Sequence, residues 1–256
     1  MPFKIIICII AGIGAGLGTG FAGMSAAAVI SPMLITFLDM DSYLAVGIAL
    51  ASDVLASAVS AYTDGKNKTL DIRTGLFMMV SVLCFTLVGS YVASIVPKTT
   101  MGSFSVFMTL LLGIKFIVKP VIAPKARLQN ATAKQKAIRS VICGSMVGFI
   151  CGFIGAGGGM MMLLVLTTVL GYELKTAVGT SVFIMAATAL TGSVSHFAIG
   201  GAPDPVALIT CVSSTLVFAL IAALIANKVS AKTLNRATGV VLVVLGAAII
   251  IVNRIK

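Results

Sequence analysis

The sequence is short of charge, and shortest of acid: 7 Asp and Glu stand against 18 Lys and Arg in 256 residues, and only 10% of positions are charged. A soluble domain carries roughly a quarter charged residues, so a chain with a water-facing shell all round is excluded. Tryptophan is absent and histidine occurs once, at His196. Five cysteines (Cys8, Cys84, Cys143, Cys151, Cys211) all fall inside apolar stretches with no C-x-x-C pair. Neither a disulfide framework nor a metal site is supported by that pattern. With a single histidine and no Ser or Cys in a recognisable arrangement with it, nucleophilic catalysis has no support, and the chain is read as a non-enzyme. The "GAGGG" at 155–159 lacks the Gly-Lys-Ser/Thr of a nucleotide-binding loop, so no cofactor is expected. The formal net charge of +11 comes without a basic stripe or an aromatic platform, which argues against nucleic acid as a partner.

What the chain has in excess is grease. It is 59% hydrophobic with a mean hydropathy of +1.15. Its apolar stretches run roughly 5–18, 24–38, 43–62, 72–96 and 101–118, then 139–155, 158–170, 174–199, 204–226 and 234–253. None alternates with period two, so a helical bundle in a lipid bilayer is expected rather than an outer-membrane barrel. The expected fold is an all-α polytopic membrane protein of about ten transmembrane or half-membrane helices, with eight as the alternative count. The stretches 5–18, 24–38 and 158–170 fall short of the roughly 20 residues that a full crossing needs.

The two sets of stretches read as copies. Laying 15–49 over 147–181 without a gap matches Gly16 with Gly148, Gly20 with Gly152, Phe21 with Phe153 and Gly23 with Gly155. Further along it matches Leu34 with Leu166, Thr36 with Thr168, Leu38 with Leu170, and the intact "AVG" of 45–47 with that of 177–179. The expected organisation is a first repeat over 1–118, a linker over 119–138 and a second repeat over 139–256. Because the segment around Phe21 has a copy deep in the chain, the amino-terminal segment is expected to belong to the mature fold rather than to a signal peptide.

Positive charge tests the orientation of the copies, since Lys and Arg collect in cytoplasmic loops. Five segments per copy would turn the second upside down. One side then receives Lys66, Lys68, Arg73, the linker's Lys119, Lys125, Arg127, Lys134 and Lys136, and Lys175, Lys228, Lys232 and Arg236. The other receives only Lys4, Lys98, Arg254 and Lys256. An inverted repeat follows, with the linker in the cytoplasm of a prokaryotic cell, both termini outside, and a homodimer as the expected assembly.

Inverted repeats with glycine-broken segments at matching positions point to a secondary transporter whose site lies near the membrane midplane. Here those positions are "GTGFAGMSAAA", 18–28, and "GFIGAGGGMMM", 152–162. A helix start offers unpaired N–H groups and partial positive charge, which suits a small anion, and glycine lets the ligand approach. Close helix packing in lipid is the other use of such glycines. Thr180 and Ser181 follow Gly179 in the second copy and add hydroxyls that can donate to an oxyanion or bond back to their own helix. Asp53 stands midway along an apolar stretch, where a carboxyl group is costly. It can couple transport to protons, pair with a cation or cap a broken helix. His196 is the second proton-coupling candidate, or an interfacial residue. Met160, Met161 and Met162 are read as packing.

The stretch "GFIGAGGGMMMLLVLTTVLGYELKTAVGTS", 152–181, resembles the glycine-rich element and following "AVGTS" of the sulfite exporter TauE/SafE family, also called the 4-toluene sulfonate uptake permeases. The resemblance spans essentially the whole chain, with "GFAGMSAAAVISPML" as a degenerate first copy that keeps Pro32 but has Met24, Ser25 and Ala26 in place of glycines. It implies export of a small sulfur-containing or carboxylate anion (sulfite, a sulfonate, sulfoacetate) through an inner membrane. It implies substrate contacts at Gly155, Gly157, Gly158, Gly159, Thr180 and Ser181, with Gly20, Gly23 and Ser25 as first-copy counterparts. An uncoupled anion channel and a non-transporting membrane scaffold are the remaining alternatives.

Overall fold

The computed structural model describes residues 2–66, 70–97, 133–155, 158–226, 229, 231–255 and part of 106–118. Among them there is no strand. The helices are α1 (Pro2–Ala22), α2 (Ala27–Leu38), α3 (Ser42–Lys66) and α4 (Ile72–Ile95), then, beyond helical residues between 106 and 118, α5 (Ala133–Ile154), α6 (Gly158–Leu164), α7 (Leu174–Gly200), α8 (Pro205–Ala226) and α9 (Ala231–Ile255). Five of these, within Pro2–Phe21, Ser42–Lys66, Gly75–Ile95, Lys175–Gly200 and Pro205–Ile225, are long and apolar enough to cross a bilayer. The all-α polytopic fold is therefore as the sequence led one to expect.

Two boundaries differ from the apolar runs. The first helix extends over Pro2–Ala22, well beyond the 5–18 stretch, because Gly12, Gly16 and Gly20 continue the helix instead of breaking it. They face α8: a Cβ on Gly16 would stand 2.5 Å from the Thr215 carbonyl oxygen, and one on Gly20 2.7 Å from that of Ala219. In lipid no hydrophobic force drives helices together, so close van der Waals packing over small residues does that work. The second boundary is α5, which begins at Ala133, inside the 119–138 stretch; its apolar portion is Ile138–Ile154.

The two halves of the chain pack on each other reciprocally. α1 of the first repeat lies on α8 of the second, and α5, which opens the second repeat, lies on α4 of the first. Gly148 and Gly152, the partners of Gly16 and Gly20, have their would-be Cβ positions filled by the Val82 and Thr86 carbonyls of α4. α3 packs on its own counterpart α7. Gly47 near the start of α3 meets His196 and Phe197 near the end of α7, while Leu50 meets Gly192 and Tyr43 meets Gly200. α3 and α7 thus run antiparallel to each other.

Short connections fix the helix starts. Asp41 accepts the N–H groups of Tyr43 (3.0 Å) and Leu44 (3.3 Å) ahead of α3, and Asp204 accepts that of Ala207 (2.9 Å) ahead of α8. α6 runs on into a π-helical turn, Val165–Val169, from which Thr167 Oγ1 donates back to Leu163 O at 2.7 Å and Thr168 Oγ1 to Leu164 O.

Candidate functional site

Each repeat is broken once between its first two helices, and both breaks turn on a glycine in the left-handed region: Gly23 at φ +60° and Gly155 at φ +71°. Only glycine takes that conformation without strain, and the two are partners in the sequence alignment. Each break lies against the other repeat. The position of a Cβ on Gly23 is 3.4 Å from Val178 Cγ1 and 3.2 Å from Ser181 Oγ on α7; that on Gly155 is 2.6 Å from Val46 Cγ1 on α3. Val46 and Val178 are the valines of the two "AVG" elements, so the second shared motif forms the wall that receives the opposite break.

The breaks also touch each other. Ser25 Oγ donates to the Gly155 carbonyl oxygen at 3.3 Å and accepts the Ala27 N–H at 3.3 Å, which ties the start of α2 to the second break. Gly159 packs on the Gly23 carbonyl and lies so close that a Cβ there would be 3.1 Å from Ser25 N. Gly158 sits over Cys151 Sγ, at 2.8 Å from a would-be Cβ, and over Met185 Sδ at 3.4 Å. Gly157 lies outside the described residues.

Asp53 is fully buried in this same region. Ser57, one turn on, donates its hydroxyl to Oδ1 at 3.0 Å, while Oδ2 has no hydrogen-bond partner. The Ser25 side chain and the Ala26 N–H, at the start of α2, lie beside the carboxyl group, and the Cys151 thiol is close enough to feel its charge. Ala26 heads α2 with no side-chain cap of its own, so Asp53 is the acid placed at that helix start.

The fold thus brings together Gly23, Ser25, Asp53, Gly155, Gly158, Gly159 and Ser181. It sets three other sequence candidates elsewhere. Gly20 faces α8. Thr180 Oγ1 accepts the Asp71 N–H at 3.1 Å, at the start of α4, where Tyr172 donates its hydroxyl to Asp71 Oδ2. Ser181, though beside Gly23, donates its own hydroxyl back to Val178 O at 2.8 Å. His196 lies under Tyr43, rings stacked at 4.2 Å, with Nδ1 2.9 Å from Ser90 Oγ and 3.1 Å from Gly192 O; Nε2 is buried without a partner.

Sequence reasoning missed Cys151, Met185 and Ser57. The i, i+4 spacing of Asp53 and Ser57 was a readable signal, and Met185 is the residue that the repeat alignment pairs with Asp53. No group of three His, Cys, Asp or Glu among the described residues could hold a metal ion.

Comparison with known proteins agrees with this architecture. The chain is similar to the probable membrane transporter protein YunE of Bacillus subtilis, 26% identical over 96% of this chain and 97% of the relative. It is also similar to the probable membrane transporter protein MJ0441 of Methanocaldococcus jannaschii, 24% identical over 83% of this chain and 81% of the relative. The family model for the sulfite exporter TauE/SafE matches residues 8–249. An all-α polytopic membrane transporter with glycine-broken helices, this chain belongs to the sulfite exporter TauE/SafE family.

Proposed function

We propose that the protein is a secondary transporter that exports a small sulfur-containing or organic anion of the sulfite, sulfonate or sulfoacetate class, by alternating access of its two repeats and with coupling to the proton gradient. The observation that carries the reading is the meeting of the Gly23 and Gly155 breaks, each seated on the opposite repeat's "AVG" valine. Rocking one repeat against the other must part these contacts, and parting them frees helix-start N–H groups at a point buried from both faces. The hydroxyls of Ser25 and Ser181 stand at the seam and can turn from their present carbonyl partners to an oxyanion. Sulfur oxyanions suit such a site because their charge is spread over several oxygens that accept hydrogen bonds from neutral donors, with no buried Lys or Arg needed. The bias of Lys and Arg supports a cytoplasmic linker in a prokaryotic plasma membrane, with substrate approaching from the basic side.

Binding of sulfite, thiosulfate, sulfoacetate and taurine to the purified protein tests the reading. Saturable affinity for at least one of the anions, weakened by chloride only at high concentration, is expected. Absence of affinity for all of them overturns the substrate class.

A further inference from the structure

The two breaks are equivalent in backbone but not in what guards them. The gap-free alignment that pairs Gly47 with Gly179 also pairs Asp53 with Met185, and Ala26 and Ala27 with Gly158 and Gly159. The structure keeps that correspondence in space. Asp53 lies beside Ser25 and the Ala26 N–H at the first helix start. Met185 lies on Gly158 and Gly159 at the second, its Sδ 3.4 Å from a would-be Cβ on Gly158. One start therefore faces a carboxyl group and the other a thioether.

Asp53 is 0% exposed, and among the described residues no cationic side chain pairs with it. The groups that face it are the Ser57 hydroxyl on its own helix, Ser25 and the Ala26 N–H from the start of α2, and the Cys151 thiol from α5. Oδ2 is left without a hydrogen-bond partner. Among the described residues no group of three His, Cys, Asp or Glu includes Asp53 in a set that could hold a metal ion. A buried carboxylate without a cation must be balanced by the helix start or by a proton.

We propose that Asp53 is a tethered anion: its carboxylate occupies the start of α2 and closes the first break to a diffusible anion until the carboxyl group takes up a proton. The inference rests on the reading of the seam as an anion site. Binding and proton uptake are then one event: the proton adds to an oxygen of Asp53, the neutral acid no longer holds an anion's place beside the Ala26 N–H, and the arriving anion replaces the charge that the proton cancelled. In the second repeat Met185 bears no charge, so one proton, not two, is taken up per anion bound.

The test is proton uptake by the full-length protein in weakly buffered detergent solution on addition of methanesulfonate, an anion that does not itself titrate near neutral pH. About one proton per bound anion is expected for the wild type by linkage, a retained uptake for Asp53→Glu, and none for Asp53→Asn, whose methanesulfonate affinity should also lose its dependence on pH. Uptake that persists in Asp53→Asn overturns the proposal. So does methanesulfonate binding by the wild type with no uptake, an outcome that leaves the anion site standing; failure of the wild type to bind methanesulfonate, sulfite or sulfoacetate overturns both. Should Asp53→Asn fail to fold, the infrared difference spectrum of the wild type decides. A new protonated-carboxyl band on adding methanesulfonate supports the assignment, and its absence refutes it.

Discussion

Gly159 rests on the carbonyl oxygen of Gly23, so the broken helix of one repeat is in backbone contact with that of the other. No side chain larger than hydrogen fits at position 159 without parting the two breaks, since Met185 fills the other side. Gly159→Ala is therefore expected to destabilise this closed arrangement by about 1–3 kcal/mol, the usual cost of overpacking. Gly65, with nothing within 4 Å of a would-be Cβ, is the control. Gly65→Ala should be neutral or stabilising by up to about 1 kcal/mol. Thermal unfolding in detergent separates the two, and equal midpoints for both variants would show that the seam tolerates a methyl group.

Ser90 joins three side chains from two other helices. Its Oγ is 3.1 Å from the Tyr43 hydroxyl, 2.9 Å from His196 Nδ1 and accepts from Ser195 Oγ at 2.9 Å. All of this lies where α3 begins and α7 ends, so the cluster ties the first repeat's long helix to the second's. Ser90→Ala should cost about 1–3 kcal/mol, the penalty for leaving buried polar partners unmet. A fall in unfolding temperature reads it directly; a change below about 0.5 kcal/mol would mean that His196 and Tyr43 find other partners.

Lys4, near the start of α1, donates to Asp204 ahead of α8, and that hydrogen bond holds the Asp204 carboxyl below the usual carboxylate range. Both side chains are about a third exposed, at 37% and 32%. Screening by solvent limits the pair to about 1 kcal/mol or less. A depressed folded value means that the stabilisation is present above the unfolded value of about 4 and is lost as pH falls through the folded value. Asp204→Asn keeps a capping oxygen for Ala207 while removing the charge. It should lower the unfolding midpoint slightly at neutral pH, and the gap to wild type should close as pH falls through the folded value. A gap that persists there would assign the effect to the cap instead of the ion pair.

Much of the fold was legible because lipid imposes a simple grammar. Long apolar runs become helices, and the glycines matched between the halves fall where helices break or approach closely. The site was legible only in outline. Gly16, Gly20, Gly23 and Gly155 look alike in a sequence, yet the first two continue α1 for close approach to α8 and the last two break their helices. The difference lies in the partner surface, which the local sequence does not carry. Thr180 illustrates the same limit: beside Gly179 it reads as a ligand hydroxyl, but its present partner is Asp71, more than a hundred residues away. Asp53 was noticed for its cost in the bilayer. Its place at the start of α2 required knowing which helix folds back over it.

Flux through the reconstituted protein tests the central claim most directly. Proteoliposomes loaded with radiolabelled sulfite, with a pH gradient imposed in either direction, should release it in a saturable manner that is faster than from protein-free vesicles, competed by sulfoacetate and set by the sign of the gradient. Folded Gly159→Ala protein should release it several-fold more slowly. Release no faster than from empty vesicles for sulfite, thiosulfate, sulfoacetate and taurine alike would contradict the account.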